Sequence, residues 1–272
     1  MAEAVDPPFD RPDLEFNQLE DWTWVGCYGG YYLQSDLLAD FEHGFFTRQW
    51  QGRTPEVLAG YVSAGVSVHR PQQVHSALVI PASQASCAPW PEADGLVSDG
   101  GGQSLWVCGA DCTPVLLADP ATGHAAACHA GWRGVAGRIL ELAVGALVVS
   151  GSRSSDLLVA LGPAIAAADY QVQRSVSEQV ALALRPSEAE PIPLDQALAD
   201  LAECGGLQAD GLAGHDRLDI RSAARQQLIH LGVGSNQIAI CPLSTATEPL
   251  LFHSWRRDQV KAVQWSGIVS QA

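Results

Sequence analysis

The segment from Ser104 to Gly151 constrains the fold more tightly than any other part of the chain. It reads "SLWVCGADCTPVLLADPATGHAAACHAGWRGVAGRILELAVGALVVSG". "SLWVCGA" is a short run of β type. "GHAAACHA" is alanine-rich, which favours helix, yet Gly123 and Gly131 bound it tightly. It therefore reads as a buried strand. Past Gly134, the apolar residues Ile139, Leu140, Ala143, Val144 and Leu147 recur at helical spacing, and Gly151 ends the run.

The rest of the chain alternates less regularly. "WTWVGCYGGYYLQS" suits an early hairpin turning at Gly29-Gly30, and "TPEVLAGYVSAGV" opens a helix with a Thr cap and a Pro at its first position. "ALVIPA", "LLVALGPAI" and "QIAICPLS" read as strands, and "YQVQRSVSEQVALAL" and "RLDIRSAARQQLIHLGV" as helices, the second closing at Gly232. Residues 185–216 are rich in Pro, Ala, Asp and Gly and read as an excursion. The tail from Leu250 is expected to return to the sheet. No repeat or heptad is present. Such a mixture predicts an α/β protein with mixed sheets covered by helices.

With 47% hydrophobic and 17% charged residues among 272, the composition is globular. The net charge of −15 and the scattering of only 15 Lys and Arg argue against nucleic acid and anionic membrane as partners. The polar, acidic N-terminus lacks the pattern of a secretory signal, so the seven cysteines are expected to be reduced thiols in the cytoplasm. No uncharged apolar run reaches membrane-spanning length.

Three residues stand out as chemistry. His75 ends "RPQQVH", Cys112 follows the first of the β runs, and His129 enters the Gly-Trp-Arg-Gly turn. Two imidazoles and a thiolate make a zinc shell with a fourth position open, the pattern of catalytic zinc. Bound zinc lowers the pKa of its water to roughly 7. Asp111 suits an orienting carboxylate or proton acceptor. Arg133 and the amides near Gly131 and Gly134 suit an anion. Spacing alone leaves a plainer reading open: Cys112 as a core thiol, His129 as a hydrogen-bonded core histidine, Trp132 as packing, and Arg256-Arg257 as solvated or ion-paired. A second chemical reading makes Cys112 a nucleophile with His129 or His75 as its base. The sequence contains no P-loop and no Gly-x-Ser-x-Gly elbow.

Read together and in order, "HGFFTR", "QQVH", "ADGLVS", "GADCTPVLLAD", "HAGWRG", "LGPAI", "YQV" and "FHSWRRD" resemble the laccase-domain family. That family is also called multicopper polyphenol oxidase or purine nucleoside phosphorylase, and it includes the bacterial peptidoglycan editing factor. The resemblance covers roughly residues 41–269. It implies an αββα-type sandwich of mixed sheets, with residues 41–272 as the domain and 1–40 as an extension packed on it. It implies a zinc site at His75, Cys112 and His129, with copper(II) as the alternative ion. It implies phosphorolysis of adenosine, inosine, guanosine and methylthioadenosine, with adenosine deamination beside it. Asp111 and Cys112 then act in catalysis, while Arg48, Gln73 and Arg133 bind nucleoside and phosphate. The expected assembly is a monomer or weak homodimer. Alternatives are an amidase editing cell-wall precursors, a polyphenol oxidase and a non-catalytic metal-binding regulator. A true multicopper oxidase needs many His ligands and an axial Met, and this chain has eight His and a single Met, at position 1. The sequence departs from the family in a short segment before "QQVH", in Pro242 after Cys241, and in "VKAVQWSG" near the C-terminus.

Overall fold

Most of the strands pair into two six-stranded sheets laid face to face. The computed structural model describes residues 19–27 and 30–272. The first sheet runs β1 (Trp22–Cys27), β2 (Gly30–Ser35), β3 (His43–Phe46), β15 (Gln264–Val269), β7 (Gln103–Gly109) and β4 (Ser67–His69). The second runs β14 (Ile238–Ile240), β10 (Leu158–Leu161), β8 (Thr113–Ala118), β9 (Ala125–Ala130), β6 (Gly95–Val97) and β5 (Val79–Pro81). Parallel and antiparallel pairs occur in both.

Period-two alternation sorts each strand between two cores. On β8, Leu116 and Ala118 pack between the sheets, while Val115 and Leu117 pack under the helices. On β9, Ala125 and Ala127 face inward, and Ala126, Cys128 and Ala130 face the helices. Both strands are buried along their whole length, because a layer covers each face. The helical layer comprises α2 (Trp132–Ala136), α3 (Ile139–Val149), α4 (Arg174–Leu182), α5 (Leu194–Glu203) and α6 (Ile220–His230). On the far side of the first sheet, α1 (Pro55–Val62) lies over Tyr32, Phe46, Trp50 and Trp106. The layers are therefore αββα. A last short helix, α7 (Trp255–Asp258), precedes β15.

Several expected elements form as read. The hairpin β1–β2 pairs in register from Trp22–Ser35 to Cys27–Gly30, which puts Gly30 in a strand rather than in the expected turn; Tyr28 and Gly29 lie outside the described residues. The first eighteen residues of the expected extension lie outside them too. The tail returns as β15, in the middle of the first sheet between β3 and β7.

Three readings are corrected. The expected helix from Gly134 is two helices, broken at Gly137 and Arg138. A side chain on Gly137 would meet the Ala77 Cβ at 2.8 Å, and Arg138 adopts a left-handed φ of 61°. That bend aims the Arg138 guanidinium at the carbonyls of Leu182, the last residue of α4, and of Arg185 just beyond it. The run from Tyr170 is strand before helix, since β11 (Gln171–Gln173) pairs with β13 (His215–Leu218). β12 (Leu207–Ala209) completes this third, three-stranded sheet, so residues 185–216 hold ordered structure, α5 included.

Candidate metal centre

Strand register brings distant residues together at one end of the second sheet. In the antiparallel pair β8–β9, Thr113 faces Ala130 and Pro114 faces His129. Continued by one residue, that register sets Cys112 against Gly131. The contact is tight, because a Cβ on Gly131 would lie 2.7 Å from the Cys112 sulfur. Glycine is required there for close approach. The seventeen-residue interval from Cys112 to His129 is thus a hairpin interval that places them as diagonal neighbours.

The pair β6–β9 adds a second partner. Gly95 faces Cys128, and the next step sets Asp94 against His129, whose amide donates to the Asp94 carbonyl at 2.7 Å. The fully buried Asp94 carboxylate accepts from His129 Nδ1 at 2.8 Å. It also accepts from the amides of Val74, His75 and Ser76 at 3.2, 3.0 and 2.6 Å and from the Ser76 hydroxyl at 2.8 Å. One carboxylate thereby wraps the loop that carries His75, whose own φ is 60°. These hydrogen bonds outweigh burial and hold Asp94 ionised, its pKa lowered to about 2.

An ionised carboxylate only accepts, so His129 Nδ1 carries a proton. Burial would lower the imidazole's pKa, but its hydrogen bonds to Asp94 and Cys112 raise it to about 9. Without a metal Nε2 is therefore protonated too, and it must give up that proton for an ion to bind there. The ligand atoms of His75, Cys112 and His129 all lie within 4.8 Å of one another. The rings of His75 and His129 meet edge-on, with centroids 4.9 Å apart. Burial would push the Cys112 thiol up, but hydrogen bonds from His129 and His75 bring it down to about 6. Burial pushes Cys108, four residues earlier, up to about 12. The site thus distinguishes a thiolate from an inert thiol. This donor set fits a divalent metal. The two imidazoles and the thiolate would hold it, and Asp94 supplies the outer carboxylate that fixes a metal-binding histidine.

The three residues form the floor of a cavity of about 630 Å³. Its walls include Trp132, Tyr170 and Trp255, and its cations are Arg133, Arg256 and Lys261. A family model described as multi-copper polyphenol oxidoreductase laccase matches residues 56–270. The chain belongs to that family. Among laccase-family relatives, a purine nucleoside phosphorylase of Synechocystis sp. is 38% identical over 92% of this chain and 97% of its own. The purine nucleoside phosphorylase YlmD of Geobacillus stearothermophilus is 34% identical over 62% of this chain and 56% of its own length. The crystal structure of YlmD from that organism matches with a TM-score of 0.75 at 24% identity, covering 92% of this chain and 99% of that one. A Neisseria meningitidis protein matches at 0.68 and 25% identity, over 93% of this chain and all of its own.

The other residues expected at this laccase-family site divide. Gln73 lines the cavity, but its amide is engaged with the backbone of Cys108, donating at 2.7 Å and accepting at 2.7 Å. It docks the His75 loop onto β7. Arg133 lines the cavity and stacks on Trp132 at 4.4 Å. Asp111 lines it too, at the corner where the chain passes from β7 to β8 with a φ of 90°. Its oxygens accept from Thr245 and from the Arg256 amide, both at 2.7 Å. Asp111 therefore anchors α7 to the site, and Asp94 takes the orienting position on His129. Arg48 is not among the lining residues; its guanidinium donates to the Pro249 carbonyl at 2.6 Å. The Arg133 and Gly131 amides open α2, which is only five residues long.

Sequence reading assigned no site role to Asp94, Tyr170, Trp255 or Lys261, and read Arg256 as solvated or ion-paired. Asp94 and Tyr170 open the motifs "DGLVS" and "YQV", and an aspartate directly before an apolar strand was the available signal. Among the described residues, the His75–Cys112–His129 group is the one group of three or more such donors close enough to share an ion. No helix among them is long and apolar enough to cross a membrane.

Proposed function

We propose that this chain is a metal-dependent purine nucleoside phosphorylase. The observation that carries the reading is the cavity: a two-histidine, one-cysteine floor, aromatic walls and three cations. The names of the relatives agree with it. Zinc suits the donor set best, with copper(II) as the alternative. A bound ion would supply Lewis-acid charge at the cavity floor.

The protein's own groups account for the rest. Trp132, Tyr170 and Trp255 offer faces on which a purine packs. Arg133 and Arg256 hold phosphate by charge. A phosphate oxygen then forms a bond to the ribose C1′ as the C1′–N9 bond breaks. The electron pair leaves with the purine, which gains the proton that hydrogen phosphate gives up. The products are ribose 1-phosphate and the free base. Burial raises the Tyr170 hydroxyl's pKa well above its ordinary value, so it remains a hydrogen-bond donor beside these groups. Adenosine, inosine, guanosine and methylthioadenosine are the expected substrates. Adenosine deamination is assigned to the same cavity, with water displacing ammonia at C6.

The test incubates purified protein with adenosine, with and without phosphate and a chelator. Phosphate-dependent release of adenine and ribose 1-phosphate, abolished in His75→Ala, supports the reading. No product above that variant defeats it. Inosine formed without phosphate reports deamination.

One observation favours a second reading. Asp94, His129 and Cys112 are linked in the order of a carboxylate–imidazole–thiolate triad. In it the Cys112 thiolate attacks an amide carbonyl, the C–N bond breaks and the amine leaves with a proton from His129, and water then hydrolyses the thioester to the acid and the free thiol. A covalent adduct on Cys112 in metal-loaded protein, seen by mass spectrometry, would favour that reading over the metal ligand.

A further inference from the structure

Eight arginines of this chain sit beside carboxylates: Arg70, Arg138, Arg153, Arg174, Arg185, Arg217, Arg221 and Arg257. The cations of the cavity do not. Arg133 lies on the Trp132 ring, and Arg256 on the Tyr170 ring at 4.9 Å with a bond to the Gln171 carbonyl. Lys261 has no hydrogen bond or ion pair among the described residues. It is also the only lysine in the sequence. In a chain of 30 acidic residues and net charge −15, exposed cations ordinarily find carboxylates. Here Lys261, which also borders a neighbouring hollow beside Trp50 and Arg53, joins the two arginines in lining one cavity. Asp111 is the only carboxylate lining it, and Thr245 and the Arg256 amide occupy its oxygens. With three cations against the Asp111 carboxylate and the Cys112 thiolate, the cavity lining carries net positive charge in a negative protein, and low-dielectric walls focus the field of such a lining.

We propose that Lys261, with Arg133 and Arg256, forms the subsite for inorganic phosphate, and that Lys261 sets the affinity for it. This rests on the phosphorylase reading and names the residue that captures the second substrate. Lysine suits the task, because an ammonium on a flexible stem binds phosphate as a point charge without demanding one geometry. Lys261 lies in the irregular segment between α7 and β15, which lets the stem follow an anion into the hollow. The fixed cations differ from it. Their stacking on Trp132 and Tyr170 holds each guanidinium beside an aromatic wall, so base and phosphate are received at adjoining surfaces.

The single lysine makes a direct test available. An amine-selective acylating reagent modifies Lys261 and the α-amino terminus, and peptide mass spectrometry follows both rates in one sample. Inorganic phosphate should slow acylation of Lys261 saturably, about tenfold once it is roughly ten times its Kd, and leave the terminus unaffected. Protection no greater than that of chloride at equal ionic strength overturns the proposal. A nucleoside 5′-monophosphate protecting at far lower concentration overturns the choice of free phosphate as ligand. In kinetics, Lys261→Met should raise the phosphate KM about tenfold, leaving the nucleoside KM and metal content unchanged, and Lys261→Arg should restore most of the loss. An unchanged phosphate KM in Lys261→Met counts against it. If phosphate protects Lys261 while no purine is released, the subsite stands and the phosphorylase reading falls.

Discussion

Replacing Asp94 by asparagine removes half of a buried acceptor and leaves shape nearly unchanged. One Asp94 oxygen serves the His75 amide and His129 Nδ1; the other serves the amides of Val74 and Ser76 and the Ser76 hydroxyl. An amide NH₂ in either place faces donors. Turned toward His129, it orphans the His75 amide and drives the imidazole to the other tautomer, with Nε2 protonated and closed to metal. Turned away, it orphans two backbone amides. The lowered pKa bounds the cost from below. A shift from 3.8 to about 2 means the fold prefers the charged carboxylate by about 2 kcal/mol. Two lost bonds to a charged acceptor, at roughly 1.5–3 kcal/mol each, bound it near 5. In urea, with a slope of about 3 kcal/mol per M, the midpoint should fall by about 1 M. Metal bound per chain should drop in the same variant at neutral pH. The wild-type contribution is complete above pH 4 and lost as pH falls through about 2, so metal-free Asp94→Asn should show a flatter acid limb. A midpoint within about 0.2 M of wild type, with full metal content, would refute the reasoning.

Gly131→Ala forces a methyl to 2.7 Å from the Cys112 sulfur. Metal affinity, read by competition with a chromogenic chelator, should fall at least about tenfold, and stability by roughly 1–3 kcal/mol. In metal-free protein, iodoacetamide should alkylate Cys112 with a midpoint near pH 6, because the thiol's pKa is lowered to about 6, and His129→Ala should move that midpoint up. Peptide mapping checks both, and a midpoint near 9 in the wild type contradicts the proposed pairing. Acidification below about pH 6 should release the metal, since imidazoles and thiolate must be deprotonated to bind; metal retained at pH 4 argues against this ligand set.

Much of the site was readable because register is local. Cys112 and His129 sit on the arms of one hairpin, and their interval and the glycine after His129 carry its geometry in the sequence. The five apolar positions of α3 were readable for the same reason, since a helix face follows from spacing. What was not legible depends on pairings between separated strands. Asp94 meets His129 only because β6 lies against β9, and nothing in "ADGLVS" names that neighbour. Arg48 looked suited to an anion beside a motif, yet its partner is Pro249, about 200 residues away. Gln73, read as a substrate-binding residue, lines the cavity, but its amide is occupied by the backbone of Cys108 on β7. The break at Arg138 escaped notice because what accompanies it is tertiary: Gly137 packs against Ala77, and the Arg138 guanidinium bonds carbonyls at and just past the end of α4.

The place of β15 bears on how such a chain is completed. The middle of the first sheet is built from Gln264–Val269, and of the residues just before them Trp255, Arg256 and Val260 to Val263 line the same cavity as the candidate metal ligands. The three candidate metal ligands, His75, Cys112 and His129, all lie in the first half of the polymer, so they and the later wall of the cavity are laid down at different times during synthesis. Deleting Gln264–Val269 therefore strikes the centre of a layer rather than its fringe, leaving β3 and β7 without the strand that joins them.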